Sequence, residues 1–302
     1  MEQQQTRLDP SAAPLAPASA ASAPESRANL DGFRNRSLHK GVNPFLYWGL
    51  RALLVPAFLV YLRMQRIGRE HLPKSGPLLL ASNHRSFLDP FVIGTLVRRP
   101  VYYMAKRELF EKRWQAWILN GLGAFPVDRG AGDGAALETA RAILARGDVV
   151  VVFPEGTRVR RGPLGTPHRG IGRLALEAGV PVAPVAVIGS ENVRRGWRIR
   201  PRKVRLRVGR PLSFPTTGNS SPALAAGVAE RIWACVRLQW EWLGGEPATE
   251  HDERRELTTF VRHSQAERVS SGQTVREHER RQESRAGETS QEQAGQGEVR
   301  AA

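Results

Sequence analysis

The sequence predicts an α/β fold: a central, mostly parallel sheet flanked by helices, preceded by an apolar N-terminal helical segment that associates with a membrane. Three observations carry this expectation. Short, near-continuous apolar runs recur through the middle of the chain, as strands buried on both faces of a sheet do. Stretches of helical periodicity stand between several of them, the alternation expected of a parallel layer covered by helices. The longest apolar run, Phe45 to Leu62, precedes them all.

That first run spans 18 residues, the lower limit for crossing a bilayer, with Arg51 inside it and Pro56 near its middle. Phe45, Tyr47, Trp48, Phe58 and Tyr61 flank its leucines, and Arg63 and Arg66 follow. Residues 44–64 therefore read as one or two helices lying in the membrane interface, with Arg51 reaching toward lipid head groups. The competing reading is a buried helix of a soluble core. The strand-like runs are Arg66–Gly68, Pro77–Ser82, Val101–Ala105, Ala124–Val127, Val149–Phe153, Pro181–Ile188 and Val204–Val208. Helical patterns cover Phe87–Val97, Leu109–Leu122, Gly134–Ala145, Gly172–Ala178 and Leu224–Leu243. Pro90 suits the first turn of the Phe87 helix, where its missing N–H is not needed. Leu137, Ala140, Arg141 and Leu144 recur at helical spacing, and Gly147 closes that helix.

The two ends read differently. Residues 1–41 are rich in Ala, Pro, Ser and Gln, and residues 247–302 in Glu, Arg, Gln, Ser and Gly. Neither holds enough large apolar side chains to offset the entropy of ordering, so both are expected to be disordered tails around a folded core of residues 42–246. The net charge of +16 falls almost wholly on that core, because the flanks nearly balance. Its partners should be anionic: phospholipid surfaces, phosphorylated substrates, coenzyme A or nucleic acid. Cys235 is the single cysteine, which excludes an intramolecular disulfide and a cysteine metal cluster. The N-terminus lacks the apolar core of a secretory signal.

The chemistry gathers at a few short blocks. Asn83-His84-Arg85-Ser86-Phe87-Leu88-Asp89 sits where a strand should turn into a helix. Asp89 can return to the His84 ring, and a carboxylate on one imidazole nitrogen fixes the tautomer and leaves the other to take a proton from a hydroxyl. That is two thirds of a charge-relay triad, whose attacking oxygen can come from a substrate. Taken alone, such a pair is weak evidence, because a lone loop histidine is more often structural. Three further blocks follow in order: Gly123-Ala124-Phe125-Pro126-Val127-Asp128-Arg129, Phe153-Pro154-Glu155-Gly156-Thr157-Arg158 and Val180-Pro181-Val182-Ala183-Pro184-Val185.

In that order and spacing, the four blocks resemble the glycerolipid acyltransferase family typified by lysophosphatidic acid acyltransferase, over about Ile67 to Ser213. The resemblance implies that His84 is the general base for a lysophospholipid hydroxyl and that Asp89 holds its ring. The hydroxyl would attack a fatty acyl thioester directly, with acyl-CoA or acyl carrier protein as donor, no acyl-enzyme, no metal and no bound cofactor. Ser86 lacks the Gly-x-Ser-x-Gly elbow of a nucleophile and reads as structural. Arg129 and Arg158 suit a phosphate monoester, because a guanidinium offers paired donors, and Lys106 matches another position the family often keeps. Glu155 is expected to orient an arginine or the glycerol hydroxyls. Backbone amides near Glu155, Gly156 and Thr157 are the candidates for the oxyanion. His168-Arg169-Gly170 departs mildly from the family, which commonly has a lysine before the glycine, and Pro126 stands where many members have an isoleucine.

Residues 194–210 hold nine basic side chains and no acid. Val204, Leu206 and Val208 alternate with Arg205 and Arg207, so a strand there would bury one face and present arginines on the other. Anionic head groups, at about 1 kcal/mol per basic residue, or nucleic acid phosphates are the two partners considered. No nucleic-acid-binding signature accompanies the run, so the membrane leads and no nucleic acid is expected. The function implied is transfer of a fatty acyl group to lysophosphatidic acid, forming phosphatidic acid, by a monotopic or peripheral enzyme on the cytoplasmic face of the membrane. The alternatives are a different lyso-acceptor, either lysophospholipid or lyso-aminolipid, and a non-catalytic anionic lipid-binding module.

Overall fold

A computed structural model describes residues 24–127, 134–195, 198–218 and 220–247. After helices α1 (Pro24–His39) and α2 (Pro44–Val60), seven strands form one sheet in the order β1-β9-β6-β2-β5-β3-β4. These are β1 (Gln65–Ile67), β2 (Leu78–Ser82), β3 (Val101–Lys106), β4 (Ala124–Val127), β5 (Val149–Val152), β6 (Val182–Ile188) and β9 (Arg205–Val208). The pairs β2–β5, β2–β6, β3–β4, β3–β5 and β1–β9 are parallel, and only β6–β9 runs antiparallel. The mostly parallel α/β layer is therefore present. A two-stranded hairpin of β7 (Arg194–Arg195) and β8 (Arg198–Ile199) stands apart from it.

The central strands are buried on both faces, which explains their unbroken apolar sequence. Leu78 and Leu80 of β2, with Val149 and Val151 of β5, pack against Val92, Ile93 and Leu96 around helix α3 (Asp89–Gly94). The opposite face carries helices α6 (Gly170–Ala178) and α7 (Pro222–Trp242), which approach so closely that a Cβ on Gly172 would lie 1.9 Å from Ala225 O. Helices α4 (Arg113–Gly121) and α5 (Gly134–Ala145) complete the cover near β4 and β5. A second contact unit, Arg161–Thr166 with Gly244–Pro247 among the described residues, holds no helix or strand.

Several elements differ from the sequence reading. Residues 24–39, expected in a tail, form α1, whose Leu30 and Phe33 join Phe110, Ala116 and Ala124 in a small cluster. Asn120 Nδ2 fastens this helix by donating to Phe33 O at 3.0 Å and Ser37 Oγ at 2.9 Å. The helix predicted over Phe87–Val97 is confined to Asp89–Gly94, because Thr95 N and Leu96 N bond three residues back and tighten the final turn. Of residues 44–64, Pro44–Val60 form one helix, capped by Asn43 Oδ1 on Leu46 N at 3.2 Å and continuous past Pro56, and Tyr61–Met64 leave it. The expectation that Arg51 reaches toward lipid is overturned: Nη1 donates to Gly94 O at 2.6 Å and Nη2 to Val97 O.

Arg205 and Arg207 likewise serve the fold. Arg205 donates to Leu243 O at 2.5 Å; Arg207 donates to Gln239 Oε1 at 2.9 Å and lies over the Trp242 ring, so both tie β9 to the end of α7. No single helix among the described residues is long and apolar enough to cross a membrane; α2 passes that test only together with Leu30–His39, bent at 84° to it. The C-terminal tail expected over 247–302 lies almost wholly outside the described residues.

Candidate active site

His84 leaves the C-terminal end of β2 and enters the turn that starts α3. Asn83 anchors this departure: its side chain donates to Val187 O at 3.0 Å and accepts from Val187 N at 2.8 Å, taking the place of a backbone rung on β6. The His84 backbone is then clamped from the loop after β5. Glu155 Oε2 accepts from His84 N at 2.7 Å, and Val159 N donates to His84 O at 2.9 Å. The ring stacks on Phe153 with centroids 4.1 Å apart and planes inclined by 22°. Position and tilt of the imidazole are thus set by residues 153–159 as much as by its own loop.

Asp89 is wholly buried, and a carboxylate so placed has to be matched by donors. His84 Nδ1 lies 2.9 Å from its Oδ2, which also accepts from Arg85 N at 2.6 Å and Ser86 N at 2.7 Å. Its Oδ1 accepts from Ser190 Oγ at 2.5 Å. An ionised carboxylate only accepts, which assigns the ring proton to Nδ1 and leaves the Nε2 lone pair for a substrate. Ser86 is structural as expected: its Oγ accepts from Leu88 N at 3.3 Å.

Behind Asp89 lie groups the sequence did not single out. Ser190 follows β6, 101 residues from Asp89, with no local signal for its role. Arg85 is buried with its guanidinium 4.3 Å from the Trp240 ring centre. Burial pushes the Glu191 carboxyl above its ordinary value; Arg85 and the Gly189 N–H, which donates to it at 3.0 Å, pull it back, and the Asp89 charge adds to the rise.

His84 opens on a cavity of about 400 Å³ that Lys106 and Arg158 also line, beside an apolar wall including Leu54, Phe91, Met104 and Leu119. Lys106, at the end of β3, makes an exposed 2.8 Å ion pair with Glu108, whose carboxyl it draws below the usual range. Such a surface pair is worth at most about 1 kcal/mol, so a phosphate dianion can displace it. Arg158 is exposed beside the cavity. Glu155 is buried behind His84, where its Oε2 holds the His84 backbone.

Gly156, expected to supply an oxyanion donor, has its N–H engaged by Phe153 O at 3.0 Å. Its φ of +64° and the His168 ring, 2.7 Å from where a Cβ would stand, explain the glycine. Thr157 is exposed at the same turn. Arg129 lies outside the described residues. Among those described, no group of three or more His, Cys, Asp or Glu side chains is gathered in a way that could hold a metal ion.

A buried Asp–His pair at a strand end, opening on a cavity both cationic and apolar, is the arrangement of an enzyme that uses a general base on an amphipathic, anionic substrate. The sequence comparisons name the family. An acyltransferase family model matches residues 63–188. The 1-acyl-sn-glycerol-3-phosphate acyltransferase of Bacillus subtilis is 31% identical over 146 residues, 48% of this chain and 71% of that protein. The alpha enzyme of that name from Mus musculus is 31% identical over 208 residues, 65% of this chain and 72% of that protein. The crystal structure of the Thermotoga maritima 1-acyl-sn-glycerophosphate acyltransferase PlsC covers 74% of this chain at 22% identity, with a TM-score of 0.49. The chain belongs to the glycerolipid acyltransferase family and is an enzyme of the 1-acylglycerol-3-phosphate acyltransferase type.

Proposed function

We propose that the enzyme moves a fatty acyl group from acyl-CoA or acyl carrier protein to the free hydroxyl of lysophosphatidic acid, forming phosphatidic acid. The observation that carries this reading is that His84, Lys106, Arg158 and an apolar wall line one cavity. In this reading His84 Nε2 accepts the proton of the acceptor hydroxyl as its oxygen attacks the thioester carbonyl, and Asp89 stabilises the imidazolium. Collapse of the tetrahedral intermediate breaks the C–S bond, and the imidazolium returns the proton to the departing thiolate. The thioester supplies the driving force, so no metal or organic cofactor is needed. Lys106 and Arg158, with Arg129, receive the acceptor phosphate.

The reaction takes place at an anionic membrane surface, on the cytoplasmic side. Support comes from α2, which is apolar on both faces: Tyr47 and Phe58 turn inward, while Phe45, Trp48, Leu53 and Val60 form an exposed stripe at helical spacing. Trp114 and Trp117 on α4 are also exposed. Aromatic and leucine side chains of this kind, on a cationic protein, suit the headgroup boundary.

An acceptor panel tests the substrate. Lysophosphatidic acid should be preferred to lysophosphatidylcholine, and Arg158→Ala should raise KM for the former about tenfold with little change in kcat, as expected for a lost charge-assisted contact. Equal effects of Arg158→Ala on both acceptors would move the reading to another lysolipid.

A further inference from the structure

A second cavity lies on the far side of the catalytic one. Leu50 and Leu54 of α2 and Phe91 of α3 line both, so these three side chains form a shared wall. The second is an open groove of about 560 Å³, within the usual ~300–1,000 Å³ of a small-molecule site, and Ala57, Phe58, Leu88, Val193 and Ile199 also line it. Its lining is apolar apart from the Tyr61 hydroxyl, which donates to Ile199 O at 3.1 Å and ties the end of α2 to the β7–β8 hairpin. Leu88 places one end of the groove a single residue from Asp89. Arg194 and Arg198 belong to the hairpin at its edge, and the Arg194 guanidinium stands 5.4 Å from the ring centre of Phe87, which lines the catalytic cavity.

Resting on the acyl-transfer reading, we propose that this groove holds the hydrocarbon chain of the acceptor lysophospholipid, while the donor's chain occupies the cavity beside His84. The transfer brings two hydrocarbon chains to one histidine. The donor chain is continuous with the carbonyl under attack, so it must enter the cavity into which His84 opens. The acceptor chain is attached through its ester at a different glycerol carbon from the reacting hydroxyl, so it leaves the reaction centre by another route. A wall of Leu50, Leu54 and Phe91 gives each chain its own apolar surface, and the arginines of the hairpin complement an anionic lipid at the groove's edge.

The test uses the full chain on anionic vesicles and a lysophosphatidic acid carrying a diazirine at the end of its acyl chain. After photolysis, the label should map to Ala57, Val193 and Ile199, which line this groove and not the catalytic cavity. Ala57→Trp should abolish that labelling and raise KM for a palmitoyl acceptor roughly tenfold, the effect of excluding about two methylenes, while donor chain-length preference stays where it is. Ile199→Trp fills the groove from the opposite side and should do the same if the first variant disturbs α2. Label at Met104 and Leu119, or either tryptophan variant shifting donor preference instead of acceptor KM, would overturn the proposal. Groove labelling in a protein that forms no product from any thioester would sink the acyl-transfer reading and leave the lysolipid site standing.

Discussion

Asp89 organises the site through four donors, and one of them marks the limit of local sequence reading. The His84–Asp89 pair is legible because both partners lie within one strand-to-helix turn, where a five-residue spacing has few geometries. Ser190 is not legible, because only sheet assembly brings the end of β6 to the end of β2. Ser190→Ala should lower unfolding stability by about 1.5–3 kcal/mol, the cost of removing a bond to a buried charge, and should reduce kcat more than it changes KM. Denaturant titration and steady-state kinetics measure the two effects, and an unchanged kcat would remove Ser190 from the positioning of Asp89. Gly156 was legible as a glycine near the chemistry, but for the wrong reason. Its N–H is already bonded within its own turn, and its missing Cβ makes room for His168. Gly156→Ala should cost about 1–2 kcal/mol from the left-handed backbone alone, read as a lowered Tm.

At the scale of elements, α3 depends on three arginines, of which the sequence assigns Arg51 elsewhere and gives Arg66 and Arg69 no role. Arg51 donates to Gly94 O and Val97 O, Arg66 to Thr95 O at 3.0 Å and Arg69 to Leu96 O at 2.6 Å, so four successive carbonyls at the helix end receive cations. This suits the negative end of a helix dipole. Burial first, and then the charges of neighbouring arginines (Arg69, Arg51 and Arg98 for Arg66; Arg98 and Arg51 for Arg69), lower the affinity of Arg66 and Arg69 for their protons. Arg51→Met keeps the stem but not the donors; it should lower stability by about 2–3 kcal/mol and slow turnover, because α3 begins at Asp89 and lines the catalytic cavity. Full stability in that variant would show that Arg66 and Arg69 suffice. Arg51 was read as a lipid contact because an apolar run hides which of its faces meets the protein. The central strands β2, β5 and β6 are legible for the opposite reason: burial on both faces leaves a signal no neighbour needs to complete. Helix α1 was missed because only Leu30 and Phe33 mark its inner face, and Asn120 supplies hydrogen bonds that leave no periodic trace.

At the scale of the whole molecule, the proposed membrane contact would draw on the outer stripe of α2 and the charge of +16 by different physics. Full-length protein should sediment with anionic vesicles. Raising salt should weaken but not abolish that binding, since screening beyond a Debye length of about 8–10 Å removes the cationic share and leaves apolar insertion. Leu53→Asp should then remove the salt-resistant part, and loss of all binding at high salt would leave the stripe without a membrane role. A single assay joins His84 to acyl transfer. Wild type and His84→Ala are incubated with mixed acyl-CoAs and lysophosphatidic acid, and the products are read by mass spectrometry. The wild type should form phosphatidic acid, and a folded His84→Ala should be slower by a factor of about 10²–10⁴. Equal product from both proteins would contradict the account.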